Sequence, residues 1–293
     1  MLLTATLVLA AMAAADASYV SEIEKWRAAR EERLKADGGW LTVAGLFWLK
    51  DGANTFGSDK TNDIVLPASV APKAGVIEFA PGGNAVLRPQ AGVEILSGGK
   101  PAAAGMALKA DTAEGGPDVL VMGPVSMQVI ERGGRYGLRM KDNQSAQRRD
   151  FKGLAWYPVS EASRVTARWV PYPDGKTVSI ANVLGQVDEL KTPGYAVFTL
   201  NGTEVRLDPV LEDPAAKELF FIFKDKTSGK LTYPAGRYLY TPLPKDGTVV
   251  LDFNKAYSPP CAFTAYATCP LPPPQNRLQI AIEAGEKKPA PLH

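Results

Sequence analysis

FFIFKDKTSGKLTYPAGRYLY (220–240), a short turn, and VVLDFNKAYSPPCAFTAYATCPLPPPQNRLQI (249–280) are the densest mixture of strand-like runs and Asp, Asn, Arg, Tyr and Cys in the chain. Apolar and aromatic residues flank a polar, Gly-containing turn, which is the pattern of paired strands. Working back from this stretch, LAWYP (154–158) is followed by RVTARWVPY (164–172) and KTVSIANVLG (176–185), on either side of Pro173-Asp174-Gly175. GYAVFTL (194–200) and TEVRLDPVL (203–211) flank Asn201-Gly202, a two-residue hairpin signal. ELFFIFKD, GRYLYTPL and TVVLDFN then complete a meander of about seven strands. Successive strands on short turns pair antiparallel, so residues 150–293 read as an antiparallel sandwich or small barrel carrying a proline-rich arm.

Upstream the punctuation is similar. LTVAGLFWL (41–49), NTFGSDKTNDIVLP (54–67), GVIEFA, AVLRP, GVEIL, SGGKPA, VLVMG and SMQVIERGGRYGLRM (126–140) are short runs divided by Gly, Pro and Asn. Gly133-Gly134 between alternating runs predicts a hairpin. Residues 40–142 thus read as a second antiparallel β-sandwich. KDNQSAQRRDFK (141–152) has no periodicity and reads as the connection; Arg148 and Arg149 are either a solvated face or an anion clamp. Tyr19–Ala36 predicts one helix, with Ser21 and Glu24 as a capping box and Gly38-Gly39 as its end. The expected fold is mainly β: two antiparallel sandwich- or barrel-like domains and one N-terminal helix (18–39).

MLLTATLVLAAMAAADA (1–17) is too short to span a bilayer, and Ala15-Asp16-Ala17 fits a cleavage site. A cleaved export signal, cut after Ala17, is expected, with the mature chain periplasmic or secreted. The balance of 33 basic and 31 acidic residues gives a net charge of +2 and no basic arm, which argues against nucleic acid as a partner. The single histidine is the last residue, His293. That removes Ser-His-Asp and Cys-His catalysis and the common zinc sites.

Two resemblances follow from these runs. Phe56-Gly57-Ser58 and Asn62-Asp63-Ile64-Val65-Leu66-Pro67 stand in the order of a forkhead-associated domain. That family reads phosphothreonine with an Arg after the Gly and a Ser further on. Here Ser58 takes the first place, and Ala71, Pro72, Lys73 and Ala74 occupy the second region. Lys73 is a single point charge where a phosphate needs charge-assisted donors. The resemblance therefore implies a sandwich of that shape without its ligand function. GWLTVAGLFWL, GSDKTNDIVLP, VIERGGRYGLRMKD, FFIFKDKTSGKLTYPAGRYLY and the run from Leu251 to Lys287 together resemble the domain-of-unknown-function 1684 family, over nearly all of Tyr19 to Lys287. These are bacterial and archaeal proteins, many apparently exported, with no activity to carry over.

Cys261 and Cys269, spaced C-x7-C, are expected to form a disulfide in an exported chain. Closing so short a loop would stabilise by roughly 2.5 kcal/mol. Pro259, Pro260, Pro270, Pro272, Pro273 and Pro274 make the segment a rigid arm packed inward by Phe263 and Tyr266. No metal site or cofactor is indicated. Asp225, Asp252 and Glu283 could supply a glycosidase-like carboxylate pair, and Asp225, Asp252 and Asn254 a calcium site. The strand at Gly236–Thr241 is expected to pair with the strand carrying Asp252, which sets Arg237 beside Asp252. Asp225, Thr227, Tyr233, Arg237, Tyr238, Asp252, Asn254, Asn276 and Arg277 should then converge at one end of the second domain. They would form either a structural network pinning the arm or an Arg-centred pocket for a small molecule or glycan. The functional alternatives are a binding protein for such a ligand or an envelope component, a carboxylate- or Tyr-based hydrolase or lyase, and a ligand-free scaffold.

Overall fold

The computed structural model describes residues 16–173, 175–200 and 202–290. It is 41% strand and 14% helix, arranged in mainly antiparallel sheets with no closed barrel among the described residues. Helix α1 (Ala17–Lys35) is capped by Asp16, whose side chain accepts from the Ser18 amide at 2.7 Å. The cap is thus Asp16 and not Ser21, and the helix begins two residues earlier than its periodicity suggests. An export cut after Ala17 would fall in its first turn; residues 1–15 lie outside the described residues, as does His293.

The strands of the first half are β1 (Val43–Trp48), β2 (Gly52–Gly57), β3 (Ile64–Val65), β4 (Gly75–Ala80), β5 (Asn84–Pro89), β6 (Leu96–Ser97), β7 (Lys100–Pro101), β8 (Met106–Leu108), β9 (Val119–Met122), β10 (Val125–Arg132) and β11 (Arg135–Asp142). They form one sheet in the order β1-β11-β10-β9-β6-β7 and another in the order β3-β2-β4-β5-β8. Phe56, Ile77 and Leu87 of the second sheet and Leu120, Val129 and Leu138 of the first share one buried core, so the two sheets make a sandwich. The β10–β11 hairpin turns at Gly133-Gly134, both at positive φ, with Arg132 opposite Arg135. At the loop that resembles a phosphothreonine reader, Ser58 Oγ donates to Val70 O and Asn62 Nδ2 to Pro72 O, so these polar groups are engaged by backbone.

A short helix, α2 (Ala146–Arg149), follows. Arg148 donates to Lys35 O at 2.7 Å and Asn143 O at 2.8 Å and meets Asp37, which fastens the end of α1. Arg149 pairs with its neighbour Asp150. Neither is an anion clamp.

The second half contributes β12 (Arg164–Pro171), β13 (Thr177–Ala181), β14 (Val187–Lys191), β15 (Gly194–Leu200), β16 (Thr203–Leu207), β17 (Glu218–Phe223), β18 (Arg237–Pro242) and β19 (Thr248–Asp252). β16-β15-β12-β19 form a four-stranded sheet, and β13-β14 and β17-β18 are two-stranded ribbons. The sheet and the β17–β18 ribbon close on one core of Phe198, Leu207, Phe221, Phe223, Leu251 and Phe253, completed by Ile282 and Ala284 of the arm. The hairpin joining Leu200 to Thr203 forms as expected; Asn201 of its turn lies outside the described residues. Two expectations fail. β12 does not turn back onto β13: it pairs with β15 and β19, while β13 pairs with β14. And β18 forms the expected hairpin with β17 but does not pair with β19, which pairs with β12 instead. β17 is an almost wholly apolar strand, so five consecutive residues, Leu219 to Phe223, become buried.

Candidate functional site

The change of pairing disperses the expected polar cluster. Phe223 lies opposite Arg237, and Asp252 lies opposite Arg164. Arg237 is 1% exposed and meets Asp225 at 2.7 Å. Its remaining donors reach Ile282 O at 2.8 Å and Ala284 O. Asp225 also accepts from the amides of Thr227 at 2.8 Å and Ile282 at 3.1 Å, and from Thr227 Oγ1 at 2.5 Å. Burial pulls the guanidinium's pKa down, and the adjacent carboxylate opposes that pull. This is a closed ion pair that pins the arm to the ribbon.

Asp252 and Asn254 belong to a different network. Tyr19 donates to Asp252 at 2.9 Å, Asn254 Nδ2 donates to Tyr19 Oη at 2.9 Å and Ser160 O at 2.8 Å, and Ser160 N donates back to Asn254. These contacts dock α1. Asn276 forms a third set, exchanging hydrogen bonds with the Asp208 backbone at 2.7 and 2.9 Å and donating to Ile222 O at 2.9 Å. Tyr233 and Tyr238 donate to arm carbonyls, Cys261 O at 2.7 Å and Pro270 O at 2.9 Å. Arg277 lies by Pro272 O at 3.4 Å. With Asp225 and Asp252 both engaged, no open carboxylate pair forms at these positions. Among the described residues no group of three or more His, Cys, Asp or Glu could hold a metal ion.

Cys261 and Cys269 are separate thiols, which corrects the expected disulfide. The Cys261 amide donates to Cys269 Sγ at 3.1 Å, a contact that brings the residues together without bonding the sulfurs. C-x7-C spacing permits a bridge but does not determine where the two Cβ vectors point.

Asp225 and Arg277 line a cavity of about 450 Å³ beside the arm, and a second concave site lies between the two halves. A cavity of about 430 Å³ is walled by β10 and β11 on one side and by β13, β14, β17, β18 and the arm on the other, with Arg30 of α1 at its end. Of the expected site residues, Tyr238 and Cys269 line it. On β11, Leu138 and Met140 enter the sandwich core, so by strand alternation Arg139 faces the opposite way. Three guanidiniums line the cleft. Arg132 makes a two-pronged pair with Asp111 at 2.7 and 3.0 Å and donates to Thr268 Oγ1 at 3.1 Å. Arg30 meets Glu286 at 3.4 Å and Ser258 O at 2.9 Å, with its charge 4.5 Å above the Tyr257 ring.

Arg139 differs from both. It is 6% exposed, and its Nε has no hydrogen-bond partner. Its Nη2 reaches Thr268 Oγ1 at 3.4 Å, and its charge lies 5.3 Å from the Trp40 ring. No carboxylate forms an ion pair with it among the described residues. Burial and, after it, the like charge of Arg132 pull its pKa down to about 10, with the Asp111 carboxylate opposing them. Lys141, on the same face, is also pulled down, by burial and then by Arg139. The facing wall is aromatic: Phe220 and Tyr240 stack at 4.6 Å with a 10° interplanar angle, and Tyr240 donates to Glu212 at 2.7 Å.

These cleft residues, apart from Tyr238 and Cys269, are absent from the sequence-based expectation. The available signal was Arg132, Arg139 and Lys141 along the solvent-phase positions of a strong hairpin. What buries them is contributed by segments far away in sequence.

The chain is similar over residues 149–287 to the family described as "Protein of unknown function (DUF1684)", a shorter span than the expected Tyr19–Lys287. An uncharacterised protein of Haloarcula marismortui, solved by NMR in solution, is 32% identical, over 48% of this chain and 78% of its own, with a TM-score of 0.41. The forkhead-associated domain of FhaA is 16% identical, over 33% of this chain and 97% of its own, with a TM-score of 0.23. The cytoplasmic domain of the type III secretion sorting-platform protein PscD of P. aeruginosa is 21% identical, over 34% of this chain and 81% of its own, with a TM-score of 0.23. No curated protein matches the chain.

Proposed function

The chain belongs to the DUF1684 family, whose description assigns no activity, and from that premise we propose that it binds a small anionic molecule in the cleft between its two halves. One observation carries the reading: Arg139 is buried without a carboxylate partner. An uncompensated buried charge costs several kcal/mol, and proteins ordinarily pair such a group or leave it in water. The stacked Trp40 and the long contact to Thr268 offset part of that cost. A bound anion would offset the rest, at a donor fork already held in place. The cavity volume of about 430 Å³ falls in the range of small-molecule sites.

The carboxylate-based hydrolase has less support, because Asp225 is held by Arg237 and Asp252 by Tyr19 and Asn254. We read Met1–Ala17 as an export signal, so the ligand would be met in the periplasm or outside the cell.

Thermal unfolding in a panel of sodium salts at fixed ionic strength tests the cleft. At least one organic anion should raise the melting temperature of the wild type, and Arg139→Gln should lose that response. A panel that leaves the wild type unmoved, or moves both proteins equally, contradicts the reading.

A further inference from the structure

Resting on the cleft reading, we infer that its ligand is an aromatic monocarboxylate: one negative charge on a flat, apolar body. The charge follows from matching the cations. Arg132 is balanced by Asp111 and Arg30 by Glu286. Of the three, Arg139 alone has no ion-pair partner, and it is the one guanidinium left to meet a ligand's charge. Glu212 and Asp188 also line it and oppose any further negative charge. Nε of Arg139 is closed off from the cleft, so its terminal Nη nitrogens present the flat fork that a carboxylate fills with two parallel hydrogen bonds. A phosphate dianion would bring a second charge with no second free cation to meet it.

The body follows from the polar groups that are already engaged. Tyr238 donates to Pro270 O, Tyr240 to Glu212, and Asn182 bonds Gln186 through its amide nitrogen while its oxygen accepts from the Leu184 and Gln186 amides. A sugar would need such groups as free donors and acceptors for its hydroxyls. What remains toward the ligand is mainly ring surface and ring edge from Phe220, Tyr238, Tyr240 and Tyr257, with the Tyr257 hydroxyl and the Asp188 carboxylate as the polar groups left over. Aromatic rings favour other rings at offset or edge contacts. This narrows the small-molecule or glycan expectation to the small molecule.

Isothermal titration of the full chain at fixed ionic strength, with benzoate, indole-3-acetate, phenyl phosphate, glucuronate and indole-3-acetamide as probes, tests the inference. Benzoate or indole-3-acetate should bind, with affinity at least tenfold above that of phenyl phosphate and glucuronate. Indole-3-acetamide, uncharged, should not bind. Arg139→Gln should weaken the carboxylates at least tenfold. Should Arg139→Gln fail to fold, Arg139→Lys, which keeps the charge and loses the fork, should still weaken them. Phenyl phosphate binding as tightly as the carboxylates overturns the single-charge inference while leaving an anion cleft standing. Glucuronate binding as tightly overturns the apolar body alone. Absence of all binding, with substitution at Arg139 silent, overturns the inference together with the cleft reading beneath it.

Discussion

Arg237 and Arg139 are both buried strand arginines, at 1% and 6% exposure, and they illustrate opposite solutions to the same problem. Arg237 has a carboxylate and two carbonyls around it, and its partner Asp225 accepts three further hydrogen bonds. Arg139 has an aromatic ring, one long contact and an empty Nε. On the proposed reading, the difference separates a charge retained for architecture from a charge that meets a ligand. Burial alone would not have distinguished them; the completeness of the partners does.

The largest effect should come from breaking the satisfied pair. Arg237→Met leaves Asp225 buried and unpaired and frees the arm at Ile282 and Ala284. We expect a loss of about 3–5 kcal/mol in urea unfolding. The double variant Asp225→Asn, Arg237→Met should lose less than the single one, because no lone charge remains. A single variant within about 0.5 kcal/mol of wild type would show that the network contributes no architecture.

Arg30 and Glu286 are an intermediate case and sharpen the contrast through pH. Glu286 is 0% exposed, and one of its oxygens has no partner. Burial raises its carboxyl above the ordinary carboxylate range of about 4.5, and Arg30 pulls the other way. A carboxyl whose pKa is higher folded than unfolded adds stability below the unfolded value and loses it as pH rises through the folded one. The stability of wild type minus that of Glu286→Gln should therefore fall as pH rises above the ordinary carboxylate range. A difference that grows with pH would mean that Arg30 outweighs burial, making this pair a second example of the Arg237 type.

Much of the architecture could be read locally, because period-two alternation and Gly-Gly or Asn-Gly turns are local signals. The β10–β11 and β15–β16 hairpins are of this kind. β14, VDELK, escaped because its exposed ribbon carries charge at both phases. β18 pairs with β17 as the run 220–240 suggests, whereas the further pairing with β19 that nearness in sequence favours does not form, because β19 pairs with β12. The role of Arg237 in pinning the arm is one of the two readings the sequence allows, since a lone Arg among strand residues must find acceptors. The cleft was not legible: Arg30, Arg132, Arg139, Phe220 and Tyr240 come from α1, β10, β11, β17 and β18, and no local pattern joins them.

The most direct test of the contrast is the stability of Arg139→Met, measured by urea unfolding with and without benzoate at fixed ionic strength. Replacing a lone buried cation by an apolar side chain of similar length should leave the ligand-free protein as stable as wild type, or more stable by on the order of 1 kcal/mol. Benzoate should stabilise the wild type by mass action and leave the variant unmoved. If Arg139→Met instead loses several kcal/mol and benzoate shifts both proteins alike, Arg139 is a structural residue like Arg237, and the distinction drawn between them fails.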